Sequence, residues 1–166
     1  MLACDLRFAS LERAFFCQPE VAVGVVPGGG AVERLPPLLG SARALEILLG
    51  SDDLNAATAE RYGLLNRAIP DADFDAFVTT FARRIASFDK QALAAVKSLV
   101  NRHGLPTRDE LAWTSAMFRQ SVSWEGAKAR IAPLIKAGLS KPGDFELRLG
   151  HHLGNLMALA ADKADK

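Results

Sequence analysis

Phe15-Phe16-Cys17-Gln18-Pro19-Glu20-Val21-Ala22-Val23-Gly24-Val25-Val26-Pro27-Gly28-Gly29-Gly30-Ala31-Val32-Glu33-Arg34-Leu35 is the stretch on which the reading of this chain turns. It places one carboxylate, Glu20, directly behind a proline. A short apolar run of Val21, Val23, Val25 and Val26 follows, then Pro27 and the consecutive glycines Gly28 to Gly30. Ala31 to Leu39 then reads as a helix. A glycine-rich turn feeding a helix start lets the backbone approach a ligand closely and aims unpaired N–H groups at it. A glutamate held beside such a turn among apolar residues can have a raised pKa and exchange protons. The competing reading is a tight turn with an ordinary surface carboxylate, because an isolated glycine-rich loop is a weak signal.

Outward from that stretch, composition narrows the classes. The 166 residues are 49% hydrophobic and 23% charged, which fits a globular chain that buries a core. A formal net charge of +1 gives no case for nucleic acid or a membrane surface as the main partner. No run of 18 apolar residues occurs, so no transmembrane helix is expected. The N-terminal residues lack the basic-then-apolar layout of a secretion signal, and cytoplasm is the expected location. Cys4 and Cys17 form no CxxC or Cys/His metal spacing and read as small buried residues of a reducing compartment. His103, His151 and His152 show no HExxH-type pattern, so no metal site is expected.

Along the chain, Leu2 to Ala9 reads as a strand ending at Ser10, then a turn at Ser10 to Arg13 and a short extended piece from Ala14 to Cys17. A chain that opens inside a strand reads as truncated. Pro36 and Pro37 are expected to divide the first helix or lock its early turn. Ser41 is expected to cap a second helix, Ala42 to Leu49, with Leu45, Leu48 and Leu49 inward and Gly50 at its end. Asn55 to Tyr62 reads as a third, closed by Gly63, and Leu64 to Pro70 as a short strand or extended exit. From Asp71 the pattern is helical. Asp71 or Asp73 caps a stripe of Phe74, Phe77, Val78, Phe81 and Ile85. Asp89 caps the next helix, with Leu93, Val96, Leu99 and Val100 inward. Thr107-Arg108-Asp109-Glu110 is a capping box opening a helix that carries Leu111, Trp113, Met117 and Phe118. Ser123 to Ala137 follows, interrupted at Pro133. Lys141-Pro142-Gly143 reads as a turn, Asp144 as a cap, Phe145 to Leu159 as a last helix, and the residues from Ala160 as a fraying tail. The chain thus divides into a mixed α/β part, residues 1–70, and a helical part, residues 71–166. So many apolar helical faces imply packing against another subunit.

Ala3-Cys4-Asp5-Leu6-Arg7-Phe8-Ala9-Ser10, Gln18-Pro19-Glu20, Gly24-Val25-Val26-Pro27-Gly28-Gly29-Gly30 and Arg34-Leu35 follow one another in the order of the second signature of the crotonase superfamily. The chain closely resembles the enoyl-CoA hydratases and isomerases of that superfamily over Met1 to Arg67, and from Pro70 to Ala137 as a helical pattern. The resemblance implies an α/β, partial crotonase-like (ClpP/crotonase) fold, a few N-terminal strands followed by a mostly helical region. It implies an acyl-CoA or enoyl-CoA thioester as substrate, with coenzyme A belonging to the substrate and no separate cofactor. It also implies a homo-oligomer, a trimer or a pair of trimers.

The resemblance assigns Glu20 as the catalytic carboxylate that gives or takes a proton at the substrate carbon. It assigns Gly28 as a substrate-binding glycine, needing only bare backbone where water or the product hydroxyl sits, although Gly29 and Gly30 serve the turn equally well. The oxyanion donors and a first catalytic glutamate of such enzymes would precede Met1, so the chain alone is expected to have little activity. Arg34 reads as part of a structural ion pair. His151 and His152 read as solvent-facing, Trp113 and Trp124 as packing or interface aromatics, and Arg83, Arg84 and Lys97 as solvated charges. The extension after Lys141 departs from the family's usual ending. Two other readings stay open: a non-catalytic oligomerisation or interaction module, and one half of a split enzyme.

Overall fold

The computed structural model describes residues 1–155. Two small sheets and a set of helices follow one another as β1 (Phe8–Ser10), β2 (Phe15–Phe16), α1 (Ala31–Leu39), α2 (Ser41–Gly50), β3 (Leu54–Asn55), α3 (Ala56–Tyr62) and β4 (Arg67–Ile69). The helical part continues with α4 (Asp71–Ala86), α5 (Lys90–Asn101), α6 (Arg108–Ser121), α7 (Glu125–Ala137) and the short α8 (Asp144–Leu147). Residues 149–155 are helical as well. β1 pairs in parallel with β4, Ala9 opposite Ala68, and β2 pairs antiparallel with β3, Phe16 opposite Leu54.

Local chemistry accounts for most of these bounds. Asn55 caps α3 by accepting the Thr58 N–H, and Gly63 stops it in the left-handed conformation. Asp89 caps α5 through the Ala92 N–H. The capping box is present at α6: the Glu110 N–H reaches the Thr107 hydroxyl, and the Glu110 carboxylate accepts the Thr107 N–H at 2.7 Å.

Several expectations are corrected. The first strand covers only Phe8–Ser10. Its partner β4 offers three residues. At Arg7 the pairing passes to Asn66, whose backbone N–H donates to the Arg7 carbonyl and whose side chain accepts the Arg7 N–H, while the Arg7 Nε–H donates to the Leu64 carbonyl. α1 runs unbroken through Pro36 and Pro37, and the Gly40 N–H closes its last turn on the Pro36 carbonyl at 2.9 Å. The prolines lack only the two donors that would reach Val32 and Glu33, a loss near the end of a short helix. Ser41 is the first residue of α2, whose cap is Gly40, and Asp71 and Asp144 likewise open helices capped by Pro70 and Gly143. α7 continues through Pro133. The last helix breaks at Arg148 rather than running on from Phe145, and residues 156–166, which hold the end of that expected helix and the tail, lie outside the described residues.

The buried cluster is built from Ala9, Ala31, Leu35, Leu39, Ala44, Ile47, Leu48, Ala56, Ala59, Leu64 and Leu65. Its small residues let α1, α2 and α3 approach closely. α2 turns Ala44, Ile47 and Leu48 inward and leaves Leu45 and Leu49 exposed, against the expected stripe. α4 docks by aromatic packing, with Phe8 edge-on to both Phe77 and Phe81 at 5.2 Å. Its expected stripe is half-buried. α5 holds Leu93 half-buried but exposes Val96, Leu99 and Val100, so its expected inward face has no partner within the described residues. No helix among the described residues is long and apolar enough to cross a membrane.

Leu35 is 1% exposed and Leu49 is 63% exposed. Leu35→Ala is expected to lower unfolding free energy by about 2–5 kcal/mol, and Leu49→Ala to stay within about 0.5 kcal/mol. Denaturant titration measures both, and equal losses would contradict this assignment of faces.

Candidate active site

The site grows from the strand-turn-ribbon between β2 and α1. Pairing with β3 fixes Phe15 and Phe16, and the chain then leaves the sheet at Cys17. Pro19 leads into a turn in which the Val25 N–H reaches the Glu20 carbonyl at 2.9 Å and the Gly24 N–H reaches Val21 at 3.0 Å. Ser51 anchors this turn from outside. Its hydroxyl accepts the Ala22 N–H at 3.3 Å and its carbonyl accepts the Cys17 thiol at 3.4 Å. Ser51 is buried and left-handed, with φ of 50°, a conformation that is strained for a residue with a side chain.

The ribbon that follows is fixed by α6. Ser121, fully buried, accepts the Val26 N–H at 2.9 Å and donates to the Phe118 carbonyl at 2.8 Å. Ser115 donates to the Gly28 carbonyl at 3.3 Å. On α1, Glu33 takes a hydrogen bond from buried Thr114 of α6. Two turns of α6 thus present hydroxyls to the ribbon and to α1, Thr114 and Ser115 from one and Ser121 from two turns further on.

Glu20, Gln18, Cys17, Phe15, Phe16 and Gly29 line a pocket of about 500 Å³, together with apolar residues that include Leu35, Ile47 and Leu64. Glu20 is half-buried, and its Oε2 is screened from solvent without a hydrogen-bond partner. Burial pushes its carboxyl above the usual glutamate range, and its own backbone N–H pulls weakly the other way. The carboxyl is therefore biased toward holding a proton in an apolar pocket while remaining able to release it. Cys17 is pushed up to about 12, first by burial and then by the charges of Asp53, Glu20 and Asp52, so its thiol stays protonated and is a poor nucleophile.

The expected glycine contact resolves into two neighbours with different surroundings. Gly29 lines the pocket, and a side chain there would meet open space. Gly28 packs on α6, where an added Cβ would lie 2.3 Å from the Phe118 Cβ. Gly28 is thus demanded by a close approach of backbone to helix, which sets how the pocket-facing turn is placed.

The remaining candidates lie apart. Arg34 makes none of the ion pairs found among the described residues. Cys4 is exposed rather than buried, and both cysteines are free. Lys97 pairs with Asp5 at 2.7 Å, and Arg84 lies over Phe88, so neither is merely solvated. His151 is exposed, whereas His152 bonds Asp144 at 2.9 Å and stacks on Phe145. Trp113 and Trp124 are exposed. No group of three or more His, Cys, Asp or Glu side chains among the described residues is arranged to hold a metal. Ser51, Ser121 and Asp53 were not singled out by sequence reasoning, since a lone hydroxyl or carboxylate carries no spacing signal.

The comparisons with known proteins agree on one group. The sequence profile of the enoyl-CoA hydratase/isomerase family matches residues 1–129. A Streptomyces avermitilis crystal structure ascribed to the enoyl-CoA hydratases is 48% identical, with a TM-score of 0.89 over 92% of this chain and 55% of that one. A Rhizobium meliloti protein, also ascribed to the enoyl-CoA hydratases, is 35% identical over 136 residues, 81% of this chain and 52% of the relative. A Clostridium acetobutylicum short-chain-enoyl-CoA hydratase is 31% identical over the same length. The chain belongs to the enoyl-CoA hydratase/isomerase family of the crotonase superfamily. Its strands and helices are part of a crotonase fold, and it spans about half the length of the relatives it matches, 52% and 55% in the two cases above.

The raised Glu20 carboxyl gives a signed expectation. Below its ordinary value of 4.5 the side chain is neutral folded or unfolded, and Glu20→Gln and the parent should melt alike. As pH rises through the raised folded value only the parent must ionise a shielded group, so its stability falls relative to Glu20→Gln. Melting curves from pH 4 to 8 check this, and a gap that is constant across the range would contradict it. Gly28→Ala is expected to destabilise by about 1–3 kcal/mol through overpacking on Phe118. Gly29→Ala should unfold at nearly the parent's denaturant concentration.

Proposed function

We propose that Glu20 is the proton-transferring carboxylate of an enoyl-CoA hydratase or isomerase site, and that this chain supplies that half of the site. The observation that carries the reading is the Glu20 Oε2, shielded and unpartnered in an apolar pocket beside the Gly28–Gly30 turn. A carboxyl biased toward its protonated form donates to a carbon that has become negative next to a thioester carbonyl. In a hydratase, water bonds through its oxygen to the β-carbon and loses a proton to the second carboxylate while the Glu20 carboxyl gives its proton to the α-carbon; in an isomerase, the Glu20 carboxylate first removes a proton from one carbon and then returns it to another. The apolar walls from Leu35, Ile47 and Leu64 suit an acyl chain, and they keep the carboxyl in surroundings that favour the neutral acid. Gly29 brings bare backbone to the place where water or the product hydroxyl would lie, and Gly28 places that turn by its close packing on Phe118. Coenzyme A enters as part of the substrate, and no cofactor takes part in this reading.

The reaction of the whole protein also needs two N–H donors to hold the thioester oxygen as negative charge develops, and a second carboxylate. In this reading both come from the part of the relatives that the chain does not match, whether as the rest of one polypeptide or as a separate chain. Loss of a single oxyanion donor costs about 10²–10³ in rate, so the 166-residue chain alone should turn over enoyl-CoA very slowly.

A second reading, an oligomerisation or interaction module that ignores CoA esters, is favoured by the exposed Val96, Leu99, Val100 and Trp113. Hydration of a short enoyl-CoA should be feeble with the chain alone and should rise when it is co-expressed with the preceding half of the Streptomyces avermitilis relative. Glu20→Gln should then reduce that restored rate by about 10²–10⁴. A restored rate untouched by Glu20→Gln refutes the assignment of Glu20. A folded oligomer that neither binds CoA esters nor is activated favours the module.

A further inference from the structure

The extension after Lys141 folds back onto the residues that wall the Glu20 pocket. Asp53, which follows α2 in the chain, is the anchor. Its side chain is only 4% exposed. Its Oδ2 accepts the Arg148 Nε–H at 3.2 Å and the His151 N–H at 3.3 Å, and its Oδ1 accepts the Gly150 N–H at 3.1 Å. One shielded carboxylate therefore binds a short segment by a charged side chain and two backbone donors, the arrangement in which a buried charge is compensated.

Two further contacts join this clasp to the pocket wall. The Arg148 guanidinium lies 4.2 Å from the centre of the Phe15 ring. Gly150 passes so close to the chain at Asp52 and Asp53 that an added Cβ would lie 2.5 Å from the Asp53 nitrogen. Leu153, just beyond it, is fully buried. Phe15 and Cys17 both line the pocket, whereas the clasp stands one layer behind them.

We propose that Asp53 and Arg148 are positioning residues that hold residues 148–153 against Phe15 and Cys17, so that the C-terminal extension sets how long an acyl group the Glu20 pocket admits. The acyl part of this inference rests on the function proposed above. The clasp acts through the wall. With Arg148 in place, Phe15 is stacked from behind and cannot swing outward; without it, the ring is free to retreat and lengthen the pocket. Because the anchor is an ion pair reinforced by two N–H donors, Asp53→Asn loosens it without removing every hydrogen bond, and Arg148→Met keeps much of the side chain's bulk while removing its charge.

The test uses the full chain carrying Cys4→Ser, which leaves Cys17 as the remaining cysteine of the two. Arg148→Met and Asp53→Asn are compared with this parent after melting curves show that each is folded. Calorimetric titration gives the ratio of dissociation constants for decanoyl-CoA and butyryl-CoA, and iodoacetamide gives the alkylation rate of Cys17. The parent should favour butyryl-CoA, and either variant should cut that preference about tenfold, on the scale at which apolar pockets discriminate chain length. An unchanged ratio in a folded variant overturns the proposal. If the parent binds neither ester without the other half of the site, the thiol decides the clasp. A rise in alkylation of about tenfold, as expected for local opening, then supports it, and a parent-like rate overturns it.

Discussion

The segment from Cys17 to Gly30 runs mostly half-buried without belonging to a sheet or a helix, and its shielded backbone N–H groups must still find acceptors. Most of the structure around the pocket can be traced to that requirement. Its own turn satisfies three of them, at Val23, Gly24 and Val25. Ala22 and Val26 turn instead to the hydroxyls of Ser51 and Ser121, the second of them 95 positions away in sequence. A buried donor left unpaired costs about 1–3 kcal/mol, so these two serines tie the turn after Glu20 to α2 and to α6 at once. Ser51 has to adopt a left-handed backbone to do it. Ser121 has to be fully buried. Both are features that would be liabilities elsewhere.

The polar accounting makes the exception at Glu20 more telling. Around it, hydroxyls, carbonyls and N–H groups are matched with one another, while Oε2 of Glu20 has no partner and no water-exposed surface. An unsatisfied carboxylate oxygen in an apolar pocket raises the group's proton affinity and is a strained arrangement for a fold that satisfies its other donors so carefully. Oε2 of Glu33 also lacks a partner, yet that side chain is tied down by Thr114 and lies on the helix side of the turn rather than among the residues lining the pocket. Perturbed carboxyls belong to functional sites when they face space that a ligand can fill. Of the two, Glu20 meets that condition.

Much of this arrangement was legible in the residues themselves. The bounds of α1, the cap at Asp89, the stop at Gly63 and the capping box at Thr107 all follow from local chemistry, where a few neighbouring atoms decide the outcome. The family motif located Glu20. What failed were inferences about which face a helix buries. Leu45 and Leu49 share a helix with Ile47 and Leu48, and hydrophobicity alone cannot say which side meets α1; the small Ala44 decides it by permitting the closer approach. α5 fails for a different reason, since an apolar stripe reports that a partner is needed without saying that this chain supplies it. The Asp53 clasp was illegible because its members stand about 95 residues apart, and a single acidic residue after a helix has no pattern to betray it. Gly28 and Gly29 were equivalent as letters and were separated only by the position of Phe118.

The two parts of the chain are held by interactions of unequal strength. The cluster under α1, α2 and α3 is a closed set of interdigitated apolar groups, and α6 is locked to the ribbon by buried hydroxyls. α5 is secured differently. Its visible anchor is the Lys97–Asp5 pair, exposed on both sides, and pairs of that kind contribute about 0–1 kcal/mol. Val96, Leu99 and Val100 add nothing while they face solvent, because the hydrophobic gain comes only with removal from water. The stability of α5 is therefore open to whatever covers that face, whereas the pocket's floor is not. Asp5, which Lys97 of α5 holds, is followed closely by Arg7, whose Nε–H donates to the carbonyl of the pocket-lining Leu64. The Glu20 pocket and the exposed face of α5 are joined by a short, mostly exposed polar link rather than by a shared core.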